Sequence, residues 1–368
     1  MIHLPYGGST AARTLACPAW HKLSEGIPKT KAGKAADLGN LLHDAMEIHV
    51  KEDKPFDQMV GQLSYEGITL TEDHVTEFLE PAAKQLDTVL EQFDIDEIMV
   101  EPFVQYTPGL IGGSIDLIGA SKDRKTVLIA DYKFGRGRVD PDSPQLPFYA
   151  CCAADDSSTA HLFDGATDLV FCIIQPALSD TPKIHTSDFQ ALGDFWVEYM
   201  DAVNNPTRAS AGDHCKFCPA APVCPTKKAQ ALSALSLSPK TAQEISDALH
   251  LADDLADWIT QVRAQAFALL ESGNVLPDHK LVAGRSMRRW SEGAETVLHQ
   301  ELGEAAFERK LLGLAKIEKM LGKERVAELG ITVKPEGKPT LVPREAPGDE
   351  ILNLIPNNLI KKVAQHKK

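Results

Sequence analysis

Residues 110–149 constrain this chain more than any other stretch. The first half reads Gly112-Gly113-Ser114-Ile115-Asp116-Leu117-Ile118, and the second reads Val127-Leu128-Ile129-Ala130-Asp131-Tyr132-Lys133. Each apolar run carries one carboxylate, and the polar Ser121-Lys122-Asp123-Arg124-Lys125 joins them. Two such runs around a polar turn predict a β-hairpin. Side chains two apart on a strand share a face, so Asp131 and Lys133 point together and Tyr132 points away. Pairing in register brings Asp116 alongside them. Two acids and a lysine on one sheet surface can hold a divalent cation and an attacking water against a phosphodiester.

Composition sets the setting for that chemistry. With 368 residues, 43% hydrophobic and 24% charged, the chain reads as soluble and globular, with room for two domains. Its longest apolar run lies near Leu169 to Ile174, far below the roughly 18 residues that span a bilayer. No membrane partner is expected. Met1-Ile2-His3-Leu4-Pro5-Tyr6 lacks the basic and apolar regions of a secretory signal, so a cytoplasmic setting is expected. There the seven cysteines are free thiols or metal ligands rather than disulfides. The net charge of −14 argues against indiscriminate nucleic-acid binding, but it leaves room for a local basic track.

Taken in order, the chain begins with a loop-like stretch around Gly7-Gly8 and Cys17-Pro18. From Ala32 to Val50, Leu38, Leu41, Leu42, Ala45 and Ile48 recur at helical spacing and place His43 on a helix. A second helix is expected over Glu72 to Phe93, with Thr69-x-x-Glu72 as a capping box and a kink at Pro81. Ile98 to Tyr106 reads as one strand that includes Glu101. After Lys133, Phe134-Gly135-Arg136-Gly137-Arg138 is either a solvated turn or a grip on a phosphate backbone. Ser143-Pro144 predicts a helix start, with Gln145 and Tyr149 one turn apart and Pro147 distorting that turn.

Farther on, Asp168 to Gln175 reads as a central strand, Lys183 to Thr186 as another, and Asp188 to Val203 as an amphipathic helix with an aromatic core stripe. Cys151, Cys152 and Cys172 are expected to pack. Cys215-x2-Cys218-x5-Cys224 lies in a proline-rich loop, poor material for packing and good material for a metal or cluster. A helix is expected over Thr241 to Glu271 and a short strand over Lys280 to Val282. Arg285, Arg288 and Arg289 beside Trp290 form the densest basic patch.

In order and spacing, His43, Asp116, Asp131-x-Lys133 and Gln145-x3-Tyr149 resemble the RecB-like branch of the PD-(D/E)xK nuclease superfamily. In that family a helix histidine, a strand aspartate, a D/E-x-K strand and a Q-x3-Y helix form the active site. The resemblance implies catalytic roles for Asp116, Asp131, Lys133, Gln145 and Tyr149. It also implies Mg²⁺ or Mn²⁺ held by His43, Asp116, Asp131 and the Tyr132 backbone carbonyl. Cys17 before the core, with Cys215, Cys218 and Cys224 after it, resembles the iron–sulfur staple of AddB and the CRISPR-associated RecB-like nucleases. A 4Fe–4S cluster follows from that likeness. Zn²⁺ on His214 and the three later cysteines is the alternative. Gly284-Arg285-Ser286-x-Arg288-x-Trp290 and Gly337 to Pro343 resemble a phage and prophage family of this type, which implies a bacterial host cell. The pattern departs at Gly39-Asn40, where Gly-Thr is usual, and at Pro147.

The expected fold is α/β: a restriction-endonuclease-like α+β core, with a mixed central sheet flanked by helices, and a mainly helical C-terminal region. The expected boundaries are 1–226 for the nuclease-like domain, 227–238 for a linker, 239–330 for a helical domain and 331–368 for a loosely ordered tail. The expected function is metal-dependent DNA hydrolysis, as an exonuclease on ends or single strands. Arg136, Arg138, Arg285, Arg288 and Arg289 would contact DNA, and a single-strand annealing or recombination protein would be a partner. The alternative is a non-catalytic DNA-binding or assembly protein that keeps the fold and cluster.

Overall fold

The computed structural model describes residues 4–28, 33–233, 238–282, 299, 314–330 and 332. Helices α1 (Ala11–Ala16) and α2 (Trp20–Leu23) precede the long α3 (Lys34–Glu52). A small hairpin, β1 (Ser64–Tyr65) and β2 (Ile68–Thr69), leads to α4 (Glu72–His74) and α5 (Glu80–Gln92). Strands β3 (Ile95–Val100), β4 (Phe103–Thr107), β5 (Ile111–Ser114), β6 (Leu117–Ser121) and β7 (Thr126–Tyr132) follow. Next come α6 (Gln145–Asp155), β8 (Asp168–Ile174), β9 (Lys183–Ser187), α7 (Phe189–Asn204), α8 (Pro225–Ser233) and α9 (Ala242–Glu271).

The central sheet runs β3-β6-β7-β8-β9. Only β7 and β8 are parallel, joined by a crossover that contains α6, so the sheet is mixed and flanked by helices. Strand alternation divides its side chains between two cores. Ile118, Ala120, Val127, Ile129, Phe171 and Ile173 pack with residues of α6 and α7. Leu117, Leu128, Ala130, Tyr132, Val170 and Cys172 pack with residues of α3 and α5 on the other face. Burial on both faces explains why β7 and β8 read as continuous apolar runs. Among the described residues, no helix is long and apolar enough to cross a membrane.

Several local expectations need correction. The run that contains Asp116 is two strands in two sheets: β5 pairs with β4, and β6 pairs with β3 and β7. The expected strand from Ile98 to Tyr106 is likewise broken between β3 and β4, where Glu101 adopts a left-handed φ of 52°. The second helix is capped by Thr71 rather than Thr69: the Thr71 side chain accepts from the His74 N–H at 3.3 Å. Its irregularity is a π-helical turn at Val75–Leu79, just before Pro81. Pro147 does no damage, because α6 begins at Gln145 and the first helical bond is Phe148 N–H to the Pro144 carbonyl, 3.2 Å. Proline there only removes an N–H that would have been free.

The chain divides into compact units Met1–Ala283 and Gly284–Lys368. In the first unit α9 holds the cysteine loop. Gln261 Nε2 donates to the carbonyls of Cys215 (3.0 Å) and Lys216 (2.9 Å), and buried Lys227 pairs with Asp254 at 2.6 Å. Residues 280–282 carry no strand. In the second unit the described helices are Leu314–Leu321 and Lys323–Glu328, and Val326 is buried. The remainder of the expected tail lies outside the described residues.

Candidate active site

The register of β6 against β7 sets the site. Leu117 pairs with Ala130, which places Asp116, one residue before β6, across from Asp131. Both acids are buried, at 8% and 4% exposure. Asp116 Oδ2 accepts the Tyr132 N–H at 2.7 Å, a bond that locks the carboxylate to the neighbouring strand. Lys133 Nζ lies 2.5 Å from Asp131 Oδ2, and Gln145 Nε2 donates to Asp131 Oδ1 at 2.6 Å. Both oxygens of Asp131 are therefore engaged by its own strand end and by the first turn of α6. Gln145, to which the resemblance gives a catalytic role, here holds the Asp131 carboxylate. Tyr132 ends β7, and its ring joins the core on the far face, as the strand period requires.

His43 reaches the site from α3, whose Leu41, Leu42, Ala45 and Met46 bury against the sheet. Its ring meets Tyr132 and Phe134 edge-on, at centroid distances of 6.1 and 5.3 Å. Its Nδ1 is buried without a hydrogen bond and lies 3.3 Å from Asp116 Oδ2. Glu101, which sequence reasoning gave no chemistry, completes the group. Ligand atoms of His43, Glu101 and Asp116 lie within 4.8 Å of one another, the only such threesome of potential metal ligands among the described residues. The Glu101 N–H donates to the Asp116 carbonyl at 3.1 Å, so the break between β3 and β4 carries Glu101 to the end of β6. An orphaned imidazole nitrogen facing two carboxylates fits a divalent cation with oxygen and nitrogen donors.

The charges describe a site short of positive charge. Burial, then the nearby Asp116, raises the Glu101 carboxyl to about 8. Burial pushes the Asp131 carboxyl up; Lys133 opposes this and Asp116 adds to it, with a net upward shift. Burial alone would lower the Lys133 ammonium, but Asp131 and Asp116 outweigh it and hold the lysine charged. Clustered acids with raised pKa values are what a dication would relieve.

These groups open into a cavity of about 610 Å³ that Arg13, His43, Asp116, Asp131, Lys133 and Tyr149 help to line. One wall is the segment from Leu4 onward, laid against β5 through Tyr6 N–H to the Leu110 carbonyl (3.0 Å) and Gly112 N–H to the Tyr6 carbonyl (3.1 Å). Gly8 meets the Tyr149 ring so closely that a Cβ there would sit 2.4 Å from it. Burial pushes the Tyr149 hydroxyl well above its ordinary range. Beyond Lys133 the exposed Gly135–Arg138 turn is pinned by buried Gln175, which donates to the carbonyls of Gly135 (2.9 Å) and Gly137 (2.7 Å). Arg136 stands exposed there, whereas Arg138 is paired with Asp140 at 2.9 Å. Arg285, Arg288 and Arg289 lie outside the described residues.

Cys151 and Cys152 belong to one core, which Cys17 shares and Cys218 packs against, and Cys172 belongs to the other. Cys17, Cys215 and Cys224 are buried and Cys218 is half-buried. Burial pushes the Cys215 thiol up, and Cys224 and Cys17 act on it in the same direction; Cys218 is likewise raised by burial, with Cys215 and Cys17 adding to it. Side chains of one segment bind carbonyls of the other: Arg208 Nη2 donates to the Leu15 carbonyl (2.8 Å) and Ser210 Oγ to the Ala16 carbonyl (2.5 Å). His214 Nε2 faces the Ser210 carbonyl at 3.1 Å.

No curated protein matches the chain. Among solved structures, one described as "Crystal structure of SSO0001" is 13% identical, over 53% of this chain and 98% of that one. Its TM-score of 0.24 is too low for the superposition to carry an argument. The match that spans nearly the whole chain, residues 3–348, is to the model of a family described as "Protein of unknown function (DUF2800)", and the chain belongs to that family.

Proposed function

We propose that this chain is a divalent-metal-dependent deoxyribonuclease of the RecB-like PD-(D/E)xK type. It would cut DNA from ends or as single strands, in phage DNA recombination, replication or degradation within the bacterial cytoplasm. The observation that carries the reading is the meeting of Asp116, Asp131, Lys133 and His43 at the end of β7, in one cavity. Ligands gather at the carboxyl ends of parallel strands in sheets of this kind, and β7–β8 is the parallel pair.

His43, Glu101 and Asp116 would hold Mg²⁺ or Mn²⁺, with Asp131 and the Tyr132 carbonyl as the further ligands that the resemblance implies. Carboxylate oxygens suit either ion, and the imidazole favours Mn²⁺. When bound, the cation lowers the pKa of a water and offsets charge on the phosphate. Asp131 keeps Lys133 charged and aimed, so its N–H groups can meet phosphate oxygens as charge builds on them. Gln145 fixes the plane of Asp131 through the other oxygen. Tyr149, packed on Gly8 and Gly113, closes that side of the cavity and excludes water.

We assign the four cysteines a structural 4Fe–4S cluster, with Zn²⁺ as the alternative. Among the described residues, no three of these sulfurs, nor His214 with two of them, gather within 4.8 Å. Iron content and visible absorbance of the purified protein decide between them.

The functional test is degradation of labelled single- and double-stranded DNA by the full chain, with Mg²⁺ or Mn²⁺ and with chelator. Cation-dependent cleavage that Lys133→Ala abolishes is expected. DNA binding without cleavage under any cation would favour a non-catalytic DNA-binding or assembly protein. A pull-down from phage-infected cells that returns a single-strand annealing or recombination protein would supply the expected partner.

A further inference from the structure

Arg13 stands where the cavity and the cysteine loop meet. It projects from α1, one helical turn before Cys17, and lines the same cavity as Asp116, Asp131 and Lys133. Its Nε donates to the His214 carbonyl at 3.3 Å and its Nη2 to the Phe217 carbonyl at 2.8 Å. Two backbone carbonyls of the cysteine loop thus hold the guanidinium, and the Trp20 ring, 5.1 Å from Cζ, lies beneath it. A guanidinium has five N–H donors. Those two bonds leave three donors, including both on Nη1, without a partner among the described residues. No described carboxylate pairs with this cation; besides burial, the groups that act on it are the thiols of Cys218, Cys215 and Cys17. A half-buried cation with a spare donor fork, held rigidly on a cavity wall, is built for an oxyanion.

We propose that Arg13 binds a phosphate of the DNA strand, beyond the phosphate that is cut, and that the cysteine loop sets where that phosphate lies. The inference rests on the nuclease reading and adds a second contact to it, one that positions the strand and takes no part in the chemistry. It also gives the cysteine site a bearing on the cavity: whatever orders residues 214–217 orders the guanidinium.

The test measures binding of a fluorescent single-stranded oligodeoxythymidylate to the full chain as isolated, without added divalent cation, over a series of salt concentrations. Iron and zinc per chain are measured alongside. For Arg13→Met, a Kd raised about tenfold is expected. The slope of log affinity against log salt should shrink by about 0.7, the share of one phosphate on a single strand. Bound metal should stay unchanged. Unaltered affinity and slope in a metal-replete Arg13→Met overturn the inference and leave the nuclease reading standing; no binding by the wild-type chain also overturns the inference, and the nuclease reading then stands or falls on the cleavage assay. Should Arg13→Met lose its metal, Arg13→Gln decides: it keeps donors for the loop carbonyls and removes the charge, so a slope smaller by about 0.7 is expected. Wild-type affinity and slope in a metal-replete Arg13→Gln overturn the inference.

Discussion

The acids of the cavity are placed by a buried sheet, whereas the four cysteines are placed by hydrogen bonds between distant loops. Asp116 and Asp131 face each other because β6 and β7 pair in one register, and every residue of β6 is buried. Slipping that register by one would turn the whole hydrophobic set toward the wrong face, so the sheet holds the acids even against their mutual repulsion. Around the cysteines the loop is thin. Phe217 is 78% exposed and Val223 62%, and the segments are tied by backbone acceptors that Arg13, Arg208, Ser210 and Gln261 engage. A site held by a sheet can exist before its ion arrives; a site held by a few loop contacts needs its ion to stay assembled.

The largest expected effect separates the two directly. Asp116→Asn should cut DNA cleavage by about a thousandfold or more while Tm stays within a few degrees, because the sheet and not the charge carries the fold. A collapse of Tm would break the contrast. Cys17→Ser should do the reverse. It would remove the ligand proposed to tie residues 11–17 to residues 215–224 and should cost about 3–5 kcal/mol, with loss of bound metal and of soluble yield. Normal stability in denaturant would show that the loop stands without its ion.

A smaller effect concerns the brace behind the loop. Lys227 is 3% exposed and Asp254 26%. Asp254→Asn leaves a buried ammonium uncompensated, and about 3 kcal/mol is expected from urea unfolding. Lys227→Met leaves only a carboxylate that can turn to water, so about 1 kcal/mol is expected. Equal costs would mean that the pair is not buried in solution.

The last effect is a slope with pH. Glu101 has a folded pKa of about 8 against 4.5 when free, so between those values the folded chain keeps a proton that the unfolded chain has lost. The stabilisation is complete below about pH 4.5 and is lost as pH rises toward 8. In cation-free protein, Tm should therefore fall across that window, less steeply in Glu101→Gln. Saturating Mn²⁺ should flatten the wild-type profile, since the ion takes the place of the proton.

What could be read from sequence divides along the same line. Asp116, Asp131 and Lys133 were legible because a two-residue period and a short turn fix their faces locally. His43 was legible from the helical stripe around it. Glu101 was not, because its place depends on β3 pairing with β6 across intervening β4 and β5, and on a left-handed residue that no apolar pattern announces. Long-range pairing also misled the strand boundaries: Ile111–Ser114 and Leu117–Ser121 read as one run but serve two sheets. The contacts around the expected linker are of the same long-range kind. Residues 227–238 have linker composition, yet Lys227 and Gln261 bind α8 and α9 back to the cysteine loop.

The segment from Tyr6 to Trp20 forms a wall of the cavity, and its partners come late in the chain. Tyr6 needs Leu110 and Gly112; Ala16 and Ala19 need residues 208 and 210. On the ribosome, at roughly 5–20 residues per second, the second set emerges about ten to forty seconds after the segment itself. Until then Tyr6 and Trp20 have only each other and His21 to pack against. This wall of the cavity therefore closes only after the cysteine loop has been made.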